Sequence, residues 1–208
     1  MSYESLNIGI GPSHARILRE EREAQNGHRA AVLWLTGLSG SGKSTLSQHL
    51  ERALFLLGCR VVVIDGDMLR GGICSDLGFS LPDRTENIRR AGEIARLFFE
   101  AGTIVITAFI SPLRQDREGV RGLFAPGEFF EVHCDASLEI CEQRDVKGLY
   151  KKARLGQIID FTGISSPYEA PESPEFRVKT SEFTVSDCVG QILDGLNRRG
   201  ILSHSVER

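Results

Sequence analysis

Ala31-Val-Leu-Trp-Leu-Thr36 runs directly into Gly37-Leu-Ser-Gly-Ser-Gly-Lys-Ser44. The apolar run reads as a strand buried on both faces, ended by glycine. The residues after it fit GxxxxGK[ST], with a strand before the loop and a helical pattern from Lys43 after it. Gly37, Gly40 and Gly42 permit backbone angles at which successive amide N–H groups converge on phosphate oxygens. Ser39, Ser41 and Thr45 complete the phosphate-contacting stretch. Lys43 is placed to reach β- and γ-phosphates as a point charge, and the Ser44 hydroxyl to ligate Mg2+. The start of the helix adds its positive dipole end. The loop therefore predicts ATP and Mg2+ as ligands. A dinucleotide fingerprint, GxGxxG, fails because Thr45 stands where its third glycine would be.

Similar apolar runs recur at Arg60-Val-Val-Val-Ile64, Thr103-Ile-Val-Ile-Thr107 and Phe129-Phe-Glu-Val-His-Cys134. Helical patterns lie between them, over Lys43–Leu57, Glu86–Ala101, Pro112–Phe124 and Ser137–Arg144, and a last one covers Val185–Leu196. Strands alternating with helices predict a three-layer α/β sandwich with a parallel, five-stranded sheet and right-handed crossovers. Residues 1–29 are polar and read as a helical extension, 30–200 as one kinase-like domain, and 201–208 as a tail. Residues 145–176 carry little apolar periodicity but hold Lys147, Lys151, Lys152, Arg154 and Phe161, which predicts a basic lid.

Composition sets the outer limits. The 208 residues are 41% hydrophobic and 25% charged, ordinary globular values. A net charge of −3 argues against a general nucleic-acid or membrane-surface binder, so anionic ligands must be held by local groups. Five cysteines without CxxC spacing, and no signal-peptide pattern, predict reduced thiols in a cytoplasmic protein. Scattered histidines argue against a protein-ligated metal site of the zinc type. No apolar run is long enough to span a bilayer.

Asp65-Gly-Asp67 ends the second strand on the carboxyl edge, where open α/β sheets bind ligands. Two carboxylates there suit metal organisation by Asp65 and deprotonation of an acceptor hydroxyl by Asp67.

With these motifs in hand, the chain resembles the adenylylsulfate (APS) kinase family. The resemblance rests on the phosphate loop, on Asp65-Gly-Asp67 with Arg70, on Asp76-Leu-Gly-Phe-Ser80 and on Asp83-Arg-Thr-Glu-Asn-Ile-Arg-Arg90. It continues through Ile110-Ser-Pro112 with Asp116-Arg117, Arg144-Asp-Val-Lys-Gly-Leu-Tyr-Lys-Lys-Ala-Arg154 and Phe161-Thr-Gly163. Met68, Ile159-Asp160 and Ser165 stand where the family usually carries other residues.

The resemblance implies ATP-dependent phosphorylation of the 3′-hydroxyl of adenosine 5′-phosphosulfate, giving PAPS. Arg70, Arg84, Asn87, Ile110 and Ser111 match family residues that bind APS. Phe79 and Phe161 match the aromatics that sandwich its adenine, and lone phenylalanines of this kind would otherwise be read as core. The polar surroundings of Phe161 predict that it is not core. Lys147 matches the family's lid, in a stretch where five of six charged residues are basic. Ser111 matches a serine described in the family as a phosphoserine intermediate; direct in-line transfer needs no such step, and a serine before proline is equally a turn-former. The resemblance also implies a homodimer and leaves open an association with ATP sulfurylase. Two rivals remain: a kinase of the same fold acting on another hydroxyl acceptor, and a non-catalytic ATP-binding domain.

Overall fold

The computed structural model describes residues 16–202. Residues 1–15 of the expected extension and 203–208 of the expected tail lie outside them.

The core is one parallel sheet in the order β2-β3-β1-β4-β5. Its strands are β1 (Ala31–Thr36), β2 (Val61–Asp65), β3 (Ile104–Ala108), β4 (Phe129–Asp135) and β5 (Phe176–Lys179). The helices are α1 (Arg19–Asn26), α2 (Lys43–Leu56), α3 (Gly66–Arg70), α4 (Leu81–Glu100), α5 (Arg114–Arg121), α6 (Leu138–Arg144), α7 (Leu149–Arg154) and α8 (Val185–Arg198). β1 lies at the centre, between β3 and β4, and all six of its residues are buried.

Period-two alternation explains the layers. Ala31, Leu33 and Leu35 face one cluster with Leu46, Leu50 and Leu54 of α2 and Ile192 and Leu196 of α8. Val32 and Trp34 face the other, with Ile88, Ala91, Ala95 and Phe99 of α4 and Val120 of α5. Trp34 stacks between Phe109 and Phe129, at centroid separations of 5.4 and 6.0 Å. Because the strands are parallel, Thr36, Asp65, Ala108 and Asp135 all end at one edge, and the loops beyond them share it.

The structure amends the sequence reading in several places. α4 begins at Leu81, five residues before the apolar pattern, because the Ser80 hydroxyl caps it by accepting from the Asp83 N–H and Pro82 suits its first turn. α5 is shorter than expected, at Arg114–Arg121. Ile201 and Leu202, assigned to a tail, are core residues, and Leu202 bridges to His28. The lid is no bare loop: it contains α7, and its Tyr150, Ala153 and Phe161 pack with Cys141 of α6 in an apolar cluster flanked by Leu38, Leu138, Ile158 and Ile164. Phe161 is 7% exposed, which corrects its placement in polar surroundings. All five cysteines are buried and free, and among the described residues no helix is long and apolar enough to cross a membrane.

Candidate active site

Gly37 is required on two counts. Its φ is +153°, and a Cβ there would lie 2.6 Å from the Ser41 hydroxyl and 2.8 Å from the Cys134 carbonyl. Gly40, at φ +76°, would bring a Cβ to 3.0 Å from the Cys141 carbonyl. The loop thus curls against the end of β4 and against α6, and α2 starts directly after Gly42.

The Lys43 ammonium donates to the carbonyls of Gly37 (2.8 Å) and Leu38 (2.7 Å). Burial pushes its pKa down to about 8, only partly opposed by nearby Cys134, Cys141 and Asp65. Ser39, Gly40 and Gly42 are half-buried and Ser41 is buried, while Ser44 and Thr45 are exposed in the first turn of α2. The Ser44 hydroxyl lies 3.4 Å from an Asp65 carboxylate oxygen. The other Asp65 oxygen accepts the Asp67 N–H and so caps α3. Ser44 and Asp65 are hard oxygen donors side by side, and among the described residues no cluster of three or more His, Cys, Asp or Glu side chains could compete for a metal. That donor set fits Mg2+ shared with phosphate oxygens and does not fit zinc.

Asp67 is exposed and forms an ion pair with Lys147 at the foot of the lid. That carboxylate holds the Lys147 ammonium above its ordinary value. The residues expected to bind the acceptor gather around a second contact between body and lid. Arg84 donates to the Phe79 carbonyl (2.8 Å), the Thr162 hydroxyl (2.8 Å) and the Asp160 carbonyl (2.7 Å). Burial, and then the neighbouring Arg70, push its guanidinium pKa down. The Phe79 ring is exposed and carries the Arg70 guanidinium 4.4 Å from its centroid. The Phe161 ring meets Tyr150 edge-on at 5.0 Å. Asn87 is buried, and its side-chain oxygen has no protein partner.

The Ile110 carbonyl accepts from the Thr36 hydroxyl at 2.8 Å. Ser111 is buried at φ +37°; its hydroxyl accepts from the Trp34 indole (3.2 Å) and its carbonyl from Arg117 (2.7 Å). The hydroxyl is thus enclosed beside the Trp34 indole, in a turn of positive φ.

Sequence reasoning missed several supporting residues. Arg117 pairs with Glu131 (2.6 Å) and reaches the Glu169 carbonyl (2.7 Å), joining β4, the Ser111 turn and the end of the lid. The Tyr150 hydroxyl reaches Ser39, Arg144 reaches Gly40, and Thr180 reaches Ser41. Arg117, Arg144 and Tyr150 stood inside quoted motifs with no role attached. Thr180 follows a strand that no apolar run marks.

A parallel sheet with a phosphate loop, an acidic second strand end and a basic lid defines the class: a P-loop kinase. A family profile described as Adenylylsulphate kinase matches residues 29–179. The adenylyl-sulfate kinase of Acaryochloris marina is 59% identical over 186 residues, covering 89% of this chain and 91% of its own. That of Shewanella amazonensis is 55% identical over 197 residues, covering 95% and 99%. The Mycobacterium tuberculosis APS kinase, solved in complex with AMPPNP and APS, superposes with a TM-score of 0.78 at 44% identity, covering 82% of this chain and 99% of that one. The chain belongs to the adenylylsulfate kinase family.

Proposed function

We propose that this chain transfers the γ-phosphoryl group of ATP to the 3′-hydroxyl of adenosine 5′-phosphosulfate, yielding PAPS and ADP by direct in-line attack. The observation that carries this reading is the pair of contacts closing the cleft: Lys147 on Asp67, and Arg84 spanning the Phe79 and Phe161 segments. A pure ATP binder needs neither.

In this reading the amides of Gly37–Thr45 cradle the triphosphate, and Lys43 neutralises charge that develops on it. Asp67 takes the proton of the acceptor hydroxyl. Arg70, Arg84 and Asn87 hold APS, the Asn87 side-chain oxygen supplying an acceptor that burial leaves otherwise unpaired. Phe79 and Phe161 flank its adenine, and the Ile110–Ser111 turn contributes backbone groups. Lys147 adds positive charge where two polyanions meet. Ser44 and Asp65 would hold Mg2+, which would supply neutralisation of phosphate charge. Transfer then needs positioning and charge, with no covalent enzyme intermediate.

Five buried, free thiols support a reducing, cytoplasmic setting. A homodimer belongs to the same reading and is tested by sedimentation velocity; an association with ATP sulfurylase is tested by co-sedimentation with that enzyme.

The test of the reaction is ADP release with and without APS. Release that depends on APS supports the proposal; equal release in both arms points to hydrolysis by water, and none in either to a kinase for another acceptor or to a non-catalytic binder.

A further inference from the structure

The carbonyl groups of the phosphate loop are tied down one after another by donors from different parts of the chain. Lys43 holds those of Gly37 and Leu38, Arg144 of α6 holds that of Gly40 (3.2 Å), and Thr180, just past β5, holds that of Ser41 (2.8 Å). At the tip, the Ser39 carbonyl accepts from the hydroxyl of Tyr150, at 2.8 Å. Tyr150 belongs to the lid helix α7 and is 2% exposed.

The Ser39–Gly40 peptide is the one most in need of such a tie. A trans peptide is planar, so its C=O and the next N–H point in opposite directions, and fixing one fixes the other. Gly40, at φ +76°, has no Cβ to oppose rotation of that plane. The turn around this peptide, closed by the Ser41 N–H on the Leu38 carbonyl (3.1 Å), bonds neither the Ser39 carbonyl nor the Gly40 N–H. The Tyr150 hydroxyl fixes the peptide's orientation, by holding the carbonyl.

We propose that Tyr150 is a positioning residue for ATP, its hydroxyl orienting the Ser39–Gly40 peptide so that the loop's N–H is presented to phosphate. The proposal rests on the phosphate-loop reading. It also divides the side chain into two functions. The hydroxyl serves the ATP loop, while the ring packs edge-on against Phe161 and serves the acceptor side.

Two variants separate these functions. Tyr150→Phe keeps the ring and removes only the hydroxyl; Tyr150→Leu removes both. AMPPNP affinity is measured by calorimetry, KM for APS at saturating ATP, and melting temperature for each. Loss of one hydrogen bond to the loop is expected to weaken AMPPNP by about 3- to 10-fold in Tyr150→Phe. Its KM for APS and its melting temperature should stay near wild type. Tyr150→Leu should weaken both nucleotides. Wild-type AMPPNP affinity in Tyr150→Phe overturns the proposal. So does equal weakening of AMPPNP and APS, or a melting temperature as low as that of Tyr150→Leu, since each marks a merely structural tyrosine. Failure of the wild-type chain to bind AMPPNP would instead overturn the phosphate-loop reading.

Discussion

Lys147 of the lid forms an ion pair with Asp67, the second carboxylate after β2, across a sequence separation of 80 residues. Both side chains are largely exposed, so the pair adds little to stability. Its consequence is positional, because a lid cation is brought to the carboxylate assigned as the base. Asp67→Asn keeps the shape and removes proton acceptance. We expect turnover to fall by ~10²-fold or more, with an unchanged melting temperature. Unchanged turnover with a raised Mg2+ requirement, measured by metal titration, would make Asp67 a metal organiser instead.

Lys43 gives a pH dependence. Burial lowers its pKa to about 8, and only the protonated amine carries charge for the phosphates. AMPPNP affinity should therefore be flat up to about pH 8 and then fall by up to ~10-fold per pH unit as the amine loses its proton. Lys43→Met should bind weakly without that decline. A wild-type profile flat to about pH 10 contradicts this assignment.

Ser111 is tested by removal. Ser111→Ala leaves the Trp34 indole N–H unpaired in the core, a cost of ~1–3 kcal/mol read as a lowered melting temperature. Turnover should be retained to within ~10-fold, and transfer from a chirally labelled γ-phosphate should invert configuration, as direct in-line displacement requires. Retention of configuration, or a phosphoserine at 111 that chases into product, would sink direct transfer.

Phe161→Ala is expected to act on two levels. Loss of stacking should weaken APS by ~5- to 150-fold, and ATP by less. Because the ring also belongs to the apolar cluster that the lid forms with Cys141 of α6, its loss should loosen that cluster locally. Hydrogen exchange over residues 149–166 should quicken while that of β1, β3 and β4 does not change. Equal weakening of ATP and APS, or unchanged exchange in the lid, would count against this placement.

Legibility in the sequence followed the physics of each element. β1 and β3 showed themselves because interior strands covered on both faces are apolar, and β2 and β4 because Val61–Ile64 and Phe129, Phe130 and Val132 still form apolar runs. The phosphate loop showed itself because its backbone geometry tolerates few residues besides glycine. β5 escaped because it is an edge strand of four residues whose burial alternates, with Arg177 and Lys179 facing outward. The lid core escaped because Cys141 of α6, the Tyr150–Ala153 pair of the six-residue α7 and Phe161 lie on separate segments and meet only in three dimensions. Arg117 and Thr180 act through backbone carbonyls of distant segments, and composition carries no trace of that.

Phosphorylation of the APS 3′-hydroxyl is read from the product formed from APS and ATP, by mass spectrometry and phosphorus NMR. We expect APS to gain one phosphoryl group, placed on the 3′-oxygen, with one ADP released for each, and 3′-deoxy-APS to be inert. ATP consumption that leaves APS unmodified, or a phosphoryl group found on any other oxygen, would contradict the assignment.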